Sequence, residues 1–210
     1  MKKSVPYEKI CSIVLVAMFL TSCSSFGPKP HVLYSRPDLE TKVSKIIVFP
    51  TTDFEGKTNQ SLKAIDLSVN TAWVNAYGAD KVIPAGIVIE KISNKIGGGF
   101  YKKFIATLDN VSAVEQISQN EVAKKFVSEV TNKLGNFQFA LAIVSGNEES
   151  YKNGDPVFLH IGLFDTKNLT WKLITKIEVK KSAVGNWKVD SQLMVSNSFE
   201  EIKKIVASKK

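Results

Sequence analysis

Hydrophobic positions along this chain change their period several times, and each change predicts an element. Residues 45–50, KIIVFP, form a β-branched apolar run closed by proline, the pattern of a buried strand. The polar, glycine-containing stretch 53–60 predicts a loop. Between 61 and 77, Leu62, Ile65, Val69, Ala72, Trp73 and Ala76 recur at helical spacing, which predicts an amphipathic helix stopped by Gly78. Residues 81–84 predict a short strand, and 85–96 and 100–109 predict helices separated by Gly97-Gly98-Gly99. Ser118 and Glu121 have capping-box spacing; Val122, Phe126, Val130 and Leu134 then repeat every four, and Gly135 supplies a stop. Residues 137–144, FQFALAIV, are almost unbroken apolar sequence, as in a strand buried on both faces and central in its sheet.

The last third predicts a meander and a helix. Asn153-Gly154 is a hairpin signal. Val157, Leu159, Ile161 and Leu163 then alternate with Phe158, His160, Gly162 and Phe164. After a turn at 165–170, Trp171, Leu173, Thr175, Ile177 and Val179 alternate with a mostly charged set, predicting a half-buried strand. A terminal helix is expected from Ser198, with Glu201 at capping-box spacing and Phe199, Ile202, Ile205 and Val206 as its apolar stripe. This order predicts an α/β fold: a mixed sheet with an antiparallel meander packed against helices.

The amino terminus follows a different logic. Lys2, Lys3 and Lys9 precede ICSIVLVAMFL, residues 10–20. A helix of that length rises about 16 Å, half of a bilayer's hydrocarbon thickness of about 30 Å. It suits the apolar region of a secretion signal. Leu20-Thr21-Ser22-Cys23 at its end resembles the lipobox of bacterial lipoproteins. That resemblance implies cleavage between Ser22 and Cys23, lipidation of Cys23, and sorting to the outer membrane, because Ser24 rather than aspartate follows. The chemistry agrees: Cys11 would leave with the leader, and an exposed lone thiol at Cys23 would pair between chains in an oxidising compartment. The expected organisation is a signal peptide over 1–22, a lipid-anchored tether over 23–44 that contains Pro28, Pro30 and Pro37, and a single α/β domain over 45–210. The tether would reach about 70 Å at most, and Val32, Leu33 and Tyr34 could pack part of it.

A second resemblance lies in the domain. KIIVFP, a polar loop and a helix, then FALAIVSG, a hairpin and LFDTKNLTW resemble a group of envelope proteins. It includes the curli secretion lipoprotein, the outer-membrane lipoprotein that activates penicillin-binding proteins, and the amino-terminal domain of the Tol propeller protein. Ser145-Gly146 fits the end of that group's central strand. Asp165-Thr166 and Trp171 fit its second turn in part, since the turn is shorter and lacks its glycine. The resemblance implies a fold and no function, because the members do different jobs.

Charge and chemistry narrow the function classes. The net charge is +8, with 28 basic residues of which only Arg36 is arginine. Base readout and phosphate clamping lean on arginine forks, so no nucleic-acid partner is expected. Salt-sensitive attraction to anionic lipid or polymer fits better. Gly97-Gly98-Gly99 lacks the spacing of a phosphate loop and predicts a hinge. His31 falls in the tether without a cysteine or acidic cluster beside it, so neither a metal nor a cofactor is expected. His160, on a strand, is expected to be a satisfied, partly buried histidine. Glu148-Glu149 and Glu200-Glu201 are adjacent pairs whose side chains diverge. Trp171 and Trp187 flank the charged strand and are a candidate contact surface.

The expected function is that of a membrane-anchored, non-enzymatic envelope lipoprotein, at the outer membrane and facing the periplasm. It would bind or scaffold an envelope protein or peptidoglycan. The alternatives are a tethered small-ligand binder, with a pocket near Gly97 to Phe104, and a hydrolase using His160.

Overall fold

The computed structural model describes residues 30–35, 45–84, 86, 121–135 and 137–207. The strands are β1 (His31–Ser35), β2 (Ile46–Val48), β3 (Thr52–Asp53), β4 (Val82–Ile83), β5 (Gln138–Ser145), β6 (Phe158–Asp165) and β7 (Thr170–Glu178). The helices among the described residues are α1 (Gln60–Tyr77), α2 (Glu121–Leu134), α3 (Glu148–Asn153) and α4 (Trp187–Ala207). The expected helices at 85–96 and 100–109, and the glycine triplet between them, lie outside the described residues.

All seven strands join one sheet in the order β1-β7-β6-β5-β2-β4, with β3 also paired to β5. β2 and β3 run parallel to β5, and β2 parallel to β4; β5-β6, β6-β7 and β1-β7 are antiparallel. The mixed sheet with an antiparallel meander is therefore present, and β5 is central as its unbroken apolar run predicts. Alternate residues of β5 serve two cores. Ala140, Ala142 and Val144 pack with Leu62, Ile65, Val69 and Trp73 of α1 and with Met194, Val195, Phe199 and Ile202 of α4. Phe139, Leu141 and Ile143 pack with Phe126, Val127 and Val130 of α2 on the other face. Helices cover both faces, which is why so few strand positions remain polar.

Four expectations are corrected. First, Asn153-Gly154 ends α3 and turns no hairpin: Gly154 adopts φ 84°, and its N–H reaches the Ser150 and Tyr151 carbonyls. Local sequence cannot separate the two outcomes, because both need a left-handed residue after asparagine. Glu148 and Glu149 accordingly open a helix. Second, α4 begins at Trp187 rather than Ser198, which is wholly buried inside it. Buried Asp190, Ser191 and Ser198 interrupt the apolar stripe and hid its first three turns. Third, part of the stretch expected as tether is β1, which pairs His31 with Lys176 and Ser35 with Leu173 at the sheet edge.

The fourth correction concerns β7. A bulge pairs Leu163 with Leu173 but Phe164 with Trp171, leaving Lys172 as the extra residue. Trp171 thereby moves to the face opposite Leu173, edge-on to Phe164 with ring centroids 5.0 Å apart. Lys172 is not on a solvated outer face. Its Nζ lies 3.8 Å from Asp165 Oδ2, with each side chain 11% exposed. Asp165 also accepts from the Lys167 and Asn168 backbone N–H groups and from Asn168 Nδ2, so it holds the β6–β7 turn. Asp165→Ala is expected to lower the unfolding free energy by about 3 kcal/mol in urea denaturation, because it strands a buried ammonium group as well as loosening the turn. Lys172→Met should cost less, since the Asp165 carboxylate it leaves behind keeps its hydrogen bonds from Lys167 N, Asn168 N and Asn168 Nδ2.

Candidate functional site

The site lies where three helices begin. Asn59 caps α1, its side-chain oxygen accepting from Leu62 N at 3.0 Å. Asn186 does the same for α4, accepting from Val189 N at 3.1 Å. The Trp187 indole N–H donates to the Ser61 carbonyl at 3.3 Å, joining the first turns of α1 and α4. Twelve residues further along each helix, Trp73 and Phe199 meet edge-to-face at 4.9 Å. The two helices therefore run side by side in the same direction, with their positive dipole ends together.

α3 lies across this end. Ser61 Oγ donates to Glu148 Oε2 at 2.8 Å, and Lys152 Nζ lies 2.9 Å from Glu148 Oε1. Between the three helix starts is an open groove of about 380 Å³ whose walls include Ser61, Glu148, Lys152, Asn186, Trp187 and Lys188. Lys152, followed by the Ser61 hydroxyl, holds the Glu148 carboxyl below its ordinary range. Glu148 is thus a weak proton acceptor and a poor base for activating the Ser61 hydroxyl. The groove is better equipped to hold a polar group than to transform one.

A buried network supports it from beneath. Asp190 is 1% exposed and accepts from the Tyr151 hydroxyl and, at 2.8 Å, from Ser182 N. Burial, with the hydrogen bond and charge of Asp190, pushes the Tyr151 phenol up to about 12. Tyr151 also packs against Trp187 at 5.4 Å, so the network positions the indole that lines the groove.

The residues singled out from sequence fall in different places. Ser22, Cys23, Ser24 and the pocket expected near Gly97 to Phe104 lie outside the described residues. Trp171 is wholly buried and Trp187 is 6% exposed, so they form no common contact surface; this corrects that expectation. His31 is exposed at the start of β1. His160 is 2% exposed, stands edge-on to Phe54 at 5.3 Å, and alternates with Leu159 and Ile161 onto the face opposite the groove. Among the described residues no group of three or more His, Cys, Asp or Glu is placed to hold a metal ion.

Sequence reading missed Ser61, Lys152, Asn186, Lys188 and Asp190. Asn186 three residues before Val189, with Asp190 in the first turn, is a usable helix-start signal. The meeting of Ser61 with Glu148 has no local signature. Comparison with protein-family models, curated proteins and solved structures finds no match.

Proposed function

We propose that this chain is a lipid-anchored cell-envelope protein, acylated at Cys23 and held at the outer membrane on its periplasmic side. There it binds or scaffolds another envelope component, a protein or peptidoglycan, without chemical turnover. The observation that carries the reading is Leu20-Thr21-Ser22-Cys23 placed directly after a basic start and an eleven-residue apolar run. Two structural facts support it. β1 begins only eight residues after Cys23, so the domain sits close behind its anchor. The groove joins the amino termini of α1 and α4 and one aromatic wall to a paired Lys152 and Glu148, which suits a polar segment of a partner.

The same groove favours a second reading, a small polar ligand held by a tethered domain, because its volume lies within the range of small-molecule sites. One experiment separates the two. A photo-crosslinking residue at Gln60, on the groove wall, should capture in cells an envelope protein or peptidoglycan fragment that the same probe at Lys167, on the far turn, does not. If both probes capture the same material or none, partner binding at this groove is wrong. A rise in melting temperature of the purified protein with small envelope metabolites would then favour the second reading.

A further inference from the structure

We propose that the loop leading from β7 into the first turn of α4, residues 180–188, is a membrane-contact loop that rests on anionic phospholipid headgroups. Its orientation relies on the lipid anchor at Cys23 proposed above. The loop reads KKSAVGNWK, with three lysines and no acid. Val184 at its tip is 78% exposed, and Val189 beyond it is 51% exposed.

This tip has a fixed shape. Ser182 N is held by buried Asp190, and Gly185 N donates to the Ser182 carbonyl at 3.0 Å. Gly185 adopts φ +60°, and a Cβ there would come within 3.1 Å of Lys181 Cε. The Lys181 ammonium reaches back to the Lys152 carbonyl at 3.5 Å. An aliphatic tip ringed by lysines suits the bilayer interface: the valine enters the headgroup layer, the lysine stems lie along it, and the ammonium groups meet phosphate. Lys180 is partly answered by Glu178 at 3.6 Å, so Lys181 and Lys188 carry most of the attraction.

The topology turns this loop toward the membrane. His31 pairs with Lys176 in an antiparallel ladder, so the chain enters the sheet at the end of β7 from which the loop departs. The eight steps from Cys23 to His31 reach about 28 Å at most. The β6–β7 turn lies about 20 Å further along β7 from this point of entry, so the loop is at the end of the sheet nearer the anchor.

The test uses the full chain, processed in cells and reconstituted in phosphatidylcholine vesicles with or without phosphatidylglycerol. An environment-sensitive thiol label is placed at Val184→Cys or at Lys167→Cys on the far turn, and brominated lipid is the quencher. The wild-type chain takes label only if Cys23 is free, so the anchor is checked separately. The expected result is quenching at position 184 and not at 167, stronger with phosphatidylglycerol. Lys181→Gln and Lys188→Gln should each weaken the contact by about fivefold, with unchanged melting temperature. Equal quenching at both positions, or none at 184, overturns the loop's role and leaves an acylated Cys23 standing. If wild-type Cys23 takes label, the anchor fails by itself. The same chain, with Cys23→Ser, mixed with the vesicles then decides the loop, which survives only if position 184 is quenched.

Discussion

Asp190→Ala should lower the unfolding free energy by about 3–5 kcal/mol, a large share of the 5–15 kcal/mol typical of a domain. Asp190 is buried, and its carboxylate takes the Tyr151 hydroxyl and the Ser182 N–H. Hydrogen bonds to a charged group contribute about 1.5–3 kcal/mol each, and the variant also leaves a buried phenol hydroxyl without its acceptor. Urea denaturation measures the loss; a change below about 1 kcal/mol would show that the network is solvated and that the loop it holds is not pre-shaped. Asp190→Asn should fall between the two, keeping shape and losing charge.

The same network gives a signed pH dependence. Burial is the largest influence on the Asp190 carboxyl and pushes it up, but the hydrogen bonds from Ser182 and Tyr151 together outweigh it and hold it below the ordinary value. Its stabilisation is therefore complete above the unfolded value of about 3.9 and fades as pH falls through the lower folded value. Tyr151 works in the opposite direction. Its phenol is raised to about 12, so its contribution is complete below about pH 10 and fades as pH rises toward the folded value. The stability gap between wild type and Asp190→Asn should narrow at the acid limb, and that between wild type and Tyr151→Phe at the alkaline limb.

Under the proposed anchor, Cys23→Ser should transfer the protein from the membrane pellet to the soluble fraction in high-salt fractionation. A single acyl chain binds membranes only marginally and stable anchoring takes more than one, so the acylated wild type should stay in the pellet through repeated washing while the variant does not. High salt matters because contact through Lys181 and Lys188 is electrostatic and would otherwise retain a fraction. Among the described residues no helix is long and apolar enough to cross a membrane. Undiminished membrane retention of the Cys23→Ser protein, or failure of wild type to incorporate labelled palmitate, would sink the anchor.

Legibility followed the range of the interactions. α1 could be read because Leu62, Ile65, Val69 and Trp73 lie on one stripe and Gly78 ends it, all within one local window. β5 could be read because a strand covered on both faces has no polar positions to obscure it. α4 was read only from Ser198, because Asp190, Ser191 and Ser198 occupy buried positions where periodicity expects apolar residues. The candidate site was the least legible part. Ser61 meets Glu148 across 87 positions of chain and Trp187 meets Ser61 across 126, and neither pairing leaves a pattern in a window of ten or twenty.

What the residues determined unaided is the alternation of apolar periods that makes a mixed sheet with covering helices, and a basic start and short apolar run that end in Leu20-Thr21-Ser22-Cys23. What the tertiary structure alone decided is which polar groups meet. The bulge at Lys172 reversed Trp171, the parallel packing of α1 and α4 brought two helix starts together, and the pairing of β1 with β7 placed the chain's entry beside the lysine-ringed loop. Hydrophobic burial is nearly non-directional and can be read from composition and period. Register, helix direction and hydrogen-bond pairing depend on contacts between segments far apart in the chain, and these exist only once the sheet has formed.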